Sequence, residues 1–232
     1  MTGVQTCALP ISLVAGARPN FVKIAPIIHQ INKQIEKDMM IEYDLVHTGQ
    51  HYDKKMSKDF FDELNIPNPT VNLECGGGSQ AEMTAKIMVS FEKFLKKNKS
   101  NLVLLFGDVN STMACAIVAR KLGIDVGHVE AGIRSFDWNM PEEINRIVTD
   151  SLSNYFFTTS QTANDNLIKS GFDINNIFYV GNVMIDTLLH NISRLVKPEI
   201  WKSLNLKKSK YLVITLHRPS NVDEENNFKL IL

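Results

Sequence analysis

Residues 101–132 read NLVLLFGDVNSTMACAIVARKLGIDVGHVEAG. An aliphatic run of strand length breaks at Gly107 and Asp108, a helical pattern follows as far as Gly123, and a second strand run, DVGHV, ends on Glu130. Strand, crossover helix and strand in so short a span make one right-handed βαβ unit with parallel strands. Outward from it the same alternation recurs. ISLVAG precedes PNFVKIAPIIHQINKQ, IEYDLVHTG precedes KKMSKDFFDEL, DVGHVEAG precedes PEEINRIVTDSLS, and NYFFTTS precedes TANDNLIKSG. Five such units define an α/β chain with a doubly wound, Rossmann-like parallel sheet. Several strand runs are apolar at every position, as a sheet covered by helices on both faces requires.

Local signals agree. Pro19 and Pro141 suit the first turns of helices, Gly123 and Gly171 suit helix C-terminal caps, and Ser79 with Glu82 has capping-box spacing. Residues 13–180 are read as the first domain. The first twelve residues, MTGVQTCALPIS, resemble neither a signal peptide nor a normal first strand and are read as a non-native leader, with the native strand resuming near Ile11 to Leu13. Residues 181–232 are read as a hinge and the start of a second α/β domain, whose first strand is YLVITL and which ends before its core closes.

Lys plus Arg and Asp plus Glu number 25 each among 232 residues, so no charge excess favours nucleic acid or an anionic membrane, and an anion must be gripped locally. No run approaches the ~20 apolar residues of a membrane span. Three cysteines without ligand or pairing spacing fit a reducing compartment, and the expected location is cytoplasmic. The histidines show no HxxxH or HExxH spacing, so no metal site is expected. GxGxxG, GxSxG and GxxxxGK[ST] are all missing, which removes the main support for dinucleotide, serine-hydrolase and P-loop readings.

Ligands of open parallel sheets bind at the carboxyl ends of the strands. The polar residues there are Arg18 after the first strand, Gln50 and His51 after the second, Asp108 and Glu130 after the next two, and His217 after YLVITL. Asp108 and Glu130 end strands joined by one crossover helix, so their carboxylates face one crevice, as proton transfer or stabilisation of developing positive charge requires. Arg18 and Lys23, at the start of the first helix, suit a phosphate. Glu142 opens a helix with Arg146 four residues on, and spacing alone favours a plain ion pair between them.

Taken together, GARPNFVKIAPI, HTGQHYD, FGDVNST, GHVEAGIRS, MPEEINR, GNVMID and LHRPSN stand in the order and approximate spacing of the non-hydrolysing UDP-N-acetylglucosamine 2-epimerases, which the chain resembles from about Leu13 onward. The resemblance implies an isomerase of two-domain, GT-B-type architecture with the active site between domains. It implies interconversion of UDP-N-acetylglucosamine and UDP-N-acetylmannosamine for cell-surface polysaccharide precursors. The route is elimination of UDP to 2-acetamidoglucal and re-addition, without a cofactor. It further implies Asp108, Glu130, Glu142 and His217 as catalytic residues, Arg18, Lys23, Arg134 and Arg146 as substrate contacts, a second UDP-N-acetylglucosamine near Gln50 and His51 as activator, and a homodimer of the complete enzyme. The segments that grip uridine and diphosphate in that family fall beyond Leu232, so this stretch alone is expected to bind UDP poorly and to show no turnover. Open alternatives are a 2-epimerase of a modified UDP-sugar (a diacetamido uronic acid or an N-acetylfucosamine precursor), a hydrolysing epimerase, a GT-B glycosyltransferase, and a folding unit without activity.

Overall fold

The computed structural model describes residues 9–50, 61–216 and 222–231. His51 and His217 lie outside the described residues, as does most of the expected helix KKMSKDFFDEL, of which residues 61–64 are helical. The chain divides into two compact units, Met1–His190 and Asn191–Leu232.

In the first unit seven strands form one all-parallel sheet in the order β3-β2-β1-β4-β5-β6-β7. They are β1 (Leu9–Ala15), β2 (Ile41–His47), β3 (Val71–Asn72), β4 (Leu102–Phe106), β5 (Asp125–Val129), β6 (Tyr155–Thr158) and β7 (Ile177–Tyr179). Strand order reverses between β1 and β4, which opens a crevice at their carboxyl ends. The helices that matter for the site are α1 (Arg18–Ile35), α2 (Gln80–Lys97), α3 (Asn110–Lys121) and α4 (Pro141–Leu152).

Both faces of the sheet are dry, because alternate strand residues enter different cores. Val14, Val46, Val103, Leu105 and Val126 pack with Ile87 and Phe91 of α2 and with the small residues Ala114, Cys115, Val118 and Ala119 of α3. Leu13, Ala15, Leu45, Leu104, Phe106 and Val129 pack on the other side with Phe21, Ile24, Ala25 and Ile28 of α1, an apolar stripe of helical spacing. The doubly wound α/β class read from the sequence is therefore the observed one. Ser79 accepts from the amide of Glu82 while the Glu82 carboxylate accepts from the amide of Ser79, the expected capping box of α2.

Three expectations need revision. First, β1 begins at Leu9 and takes in residues 9–12, pairing with β2 over its whole length. Pro10 is tolerated in this central strand because its nitrogen points towards β4, whose ladder with β1 starts only at Ile11; the Pro10 carbonyl still accepts from Asn101. Second, the sheet has two edge strands, β3 and β7, that the sequence reading did not separate from loop. At two and three residues they are too short for a periodic signal. Third, residues 211–216 form no strand, and Leu212 and Val213 are 89% and 83% exposed. A strand exists only by pairing, and the described residues of the second unit contain no other strand to pair with. That unit contributes short helices, with Trp201 meeting Tyr211 edge-on at 5.6 Å.

Candidate active site

α4 departs from the rule that helices bury an apolar face. Its buried residues are Glu143, Asn145, Arg146, Thr149 and Asp150, whereas Ile144 is exposed along an apolar groove of about 450 Å³ that also touches Met88, Met113 and Pro141. A buried polar face is stable only when each group on it finds a partner, and here the partners lie at the strand ends. Asn145 donates to the backbone carbonyl of Asp108 at 2.8 Å and to Asn110 at 3.1 Å. Arg146 donates to Asp108 at 2.5 Å and to Glu143 at 3.0 Å. The i, i+4 pair expected between Glu142 and Arg146 does not form, because Glu143, three residues before Arg146, lies on the inward side of the helix. Glu142 is half-buried in the first turn of α4 and has no side-chain hydrogen bond or ion pair among the described residues.

Glu143, which the sequence reading passed over, fastens the following loop. Its carboxylate accepts from the amides of Ser135 and Phe136, from the Ser135 hydroxyl and from Arg146. Burial pushes this carboxyl up, but the four donors outweigh it and hold it below its ordinary value of 4.5. Residues 133–140, with exposed Phe136 and Trp138, are thereby pinned beside the strand ends.

Lys23 reaches across from α1 to form an ion pair with Glu130, both side chains being 12% exposed. Gly107 makes this possible. A Cβ there would stand 2.8 Å from the Lys23 ammonium and 3.6 Å from the Glu130 carboxylate, and its φ of +67° suits glycine. Glu130 itself has φ of +71°, a strained conformation for a side-chain-bearing residue of the kind that clusters at functional sites. Arg18 is exposed in the first turn of α1. The amides of Gly16 and Ala17 that precede it both donate to Asn20 Oδ1, at 3.0 and 2.8 Å, so this turn spends two donors internally that an anion would otherwise use. The same Asn20 donates to the Phe106 carbonyl at 2.9 Å, tying the ends of β1 and β4 together across the crevice.

Of the remaining expected residues, Arg134 is turned inward onto Asp150 at 2.7 Å and is 9% exposed. Gln50 accepts from the amide and hydroxyl of Ser111 at 3.2 and 2.7 Å, at the start of α3. The structure thus pairs Lys23 with Glu130 and Arg146 with Asp108 at the carboxyl ends of the strands, with Glu142 in the first turn of α4. Beneath them lies a layer missed from sequence: Asn20, His128, Glu143, Asn145 and Asp150. Only position in the chain could have signalled it, since Asn20, His128, Glu143 and Asn145 lie inside the quoted motifs and Asp150 lies one helical turn beyond MPEEINR.

A family model described as UDP-N-acetylglucosamine 2-epimerase matches residues 33–232. The chain is 43% identical over 228 residues to the UDP-N-acetylglucosamine 2-epimerase of Methanocaldococcus jannaschii, covering 97% of this chain and 61% of that protein. It is 39% identical over 218 residues to the UDP-2,3-diacetamido-2,3-dideoxy-D-glucuronate 2-epimerase of Pseudomonas aeruginosa, covering 93% and 59%. The crystal structure of the M. jannaschii enzyme in complex with UDP-GlcNAc and UDP matches with a TM-score of 0.83 at 44% identity, over 96% of this chain and 60% of that one. The epimerase structure from Rickettsia bellii matches with a TM-score of 0.82 at 32% identity, over 96% and 56%. This chain spans about 61% of the length of its M. jannaschii relative. Family model, relatives and fold agree: the chain belongs to the UDP-N-acetylglucosamine 2-epimerase family.

Proposed function

We propose that the chain supplies the acid cluster of a non-hydrolysing UDP-N-acetylglucosamine 2-epimerase. The observation that carries this reading is that Asp108 and Glu130 follow the adjacent strands β4 and β5 and each carboxylate is oriented by a cation, Arg146 on Asp108 and Lys23 on Glu130, with Glu142 in the first turn of α4. Inversion at C2 needs a base for the C2 proton, an acid that returns a proton to the opposite face, and stabilisation of the charge that develops as the bond from C1 to UDP breaks. Carboxylates at the strand ends meet those needs: the C2–H pair forms the C1–C2 double bond of 2-acetamidoglucal, UDP leaves with the C1–O pair, and re-addition returns UDP to C1 on the face it left while the proton reaches C2 from the opposite face. Lys23, now on Glu130, and the exposed Arg18 would meet the diphosphate. Arg146 holds Asp108 in aim, and the catalytic role of His217, which lies outside the described residues, rests on the family resemblance. A second nucleotide sugar bound near Gln50 and His51 would compete with Ser111 for the Gln50 carboxamide.

The P. aeruginosa relative favours a second reading, the same inversion on a diacetamido uronic acid sugar. The two separate by product. The chain, carried to full length with the C-terminal part of its M. jannaschii relative, is incubated with each UDP-sugar, and the products are resolved by NMR. UDP-N-acetylmannosamine from UDP-N-acetylglucosamine supports the first reading. Inversion of the diacetamido uronic acid sugar alone transfers the proposal to the second, and inversion of neither removes both.

A further inference from the structure

Beneath the acid cluster lies a chain of buried polar groups that spans three segments of the fold. His128, in β5, is fully buried with both ring nitrogens engaged: Nε2 lies 2.8 Å from the Gly107 carbonyl oxygen, and Nδ1 lies 2.6 Å from Asp150 Oδ1. A carbonyl only accepts, so Nε2 carries a proton and donates it to Gly107. Asp150, in α4 and equally buried, accepts through Oδ2 from the amide of Gly132 at 3.1 Å and from Arg134 at 2.7 Å. One imidazole and one carboxylate therefore touch the turn that carries Asp108, the turn that carries Glu130 and the helix that carries Glu142 and Arg146.

The placement matters because the backbone ladder stops short of these residues. Pairing of β4 with β5 ends at Phe106 and Val129, after which the Gly107 amide makes one last bond to Val129. Just past that point Gly107 and Glu130 both take positive φ, at +67° and +71°. Such conformations persist where surrounding contacts over-determine them. The bond from His128 to the Gly107 carbonyl and the bond from the Gly132 amide to Asp150 fall on either side of these two residues, and an apolar side chain at 128 could neither make the first nor hold Asp150 for the second.

We propose that His128, held by Asp150, is a positioning residue that sets the carboxylates of Asp108, Glu130 and Glu142 relative to one another. The role for catalysis rests on the epimerase reading; the geometric role does not. In the 232-residue chain itself, His128→Gln and the near-isosteric Asp150→Asn should displace the side-chain carboxylate carbon signals of Asp108 and Glu130 while leaving those of Asp44 and Glu92 in place. In the chain carried to full length, both variants should lower kcat by roughly 10- to 100-fold, as expected when a supporting contact is lost, with KM changed less than about threefold. His128→Ala should fall further than His128→Gln, whose amide can still donate to Gly107. The proposal is overturned if the Asp108 and Glu130 signals stay put, if kcat and KM change together, or if both variants simply unfold. Should the wild-type protein invert no UDP-sugar, the epimerase reading falls, and the carboxylate signals still decide whether His128 positions the acids.

Discussion

At Asp108 the carboxylate is anchored by Arg146, while its backbone carbonyl is anchored by Asn145, so both orientation and position are imposed from α4. Asp108→Asn keeps the shape and removes the charge. It should depress C2 inversion by at least ~100-fold, the scale of a lost acid–base group, with the circular-dichroism melt nearly unchanged. Gly107→Ala would force a Cβ towards Lys23 at a left-handed φ and should cost about 1–2 kcal/mol in urea unfolding. Glu143 titrates below 4.5 in the folded protein, so its contribution to stability is complete above the unfolded value and drains as pH falls through the folded one. Glu143→Gln should therefore lower the melting temperature at neutral pH and flatten its fall on acidification below about pH 4.5. Asp108 and Glu130 stood out in the sequence because each ends an apolar strand run, whereas Glu142, which opens a helix, was singled out only by the family resemblance. The partners did not stand out: Arg146 is bonded to a residue 38 positions away and His128 to one 22 positions away, and no local spacing encodes either pair.

The elements were legible where hydrophobic periodicity is long, as in α1 and α2, and where the strands are buried on both faces. β3 and β7 were lost to brevity. α4 shows a different failure, since the apolar residues Ile144, Ile147 and Val148 suggest one inward face while the fold buries the opposite, polar one. A helix whose core contacts are ion pairs and amides carries a site, and its inversion becomes visible only when the acceptors of neighbouring strands are in place. β1 allows a direct test of the sheet's registration. Leu13→Ala removes a fully buried side chain from the centre of the sheet and should cost about 2–5 kcal/mol. Pro10→Ala, where no ladder bond to β4 is lost, should move the unfolding midpoint far less.

Across the whole molecule, the first unit closes a two-faced core and brings the acids together, whereas the second unit is read from short helices and from a would-be strand, residues 211–216, that has no mate among the described residues. The chain spans 61% of its M. jannaschii relative. What we propose for this chain is the proton chemistry at C2. The most direct measurement is to carry the chain to full length, incubate it with UDP-N-acetylglucosamine in deuterated water and follow C2 by NMR. Deuterium at C2, accompanied by the manno product and lost in Asp108→Asn, is the predicted result. A manno product that retains its original C2 proton, or no exchange with any UDP-sugar of this class, would contradict the assignment of the strand-end acids.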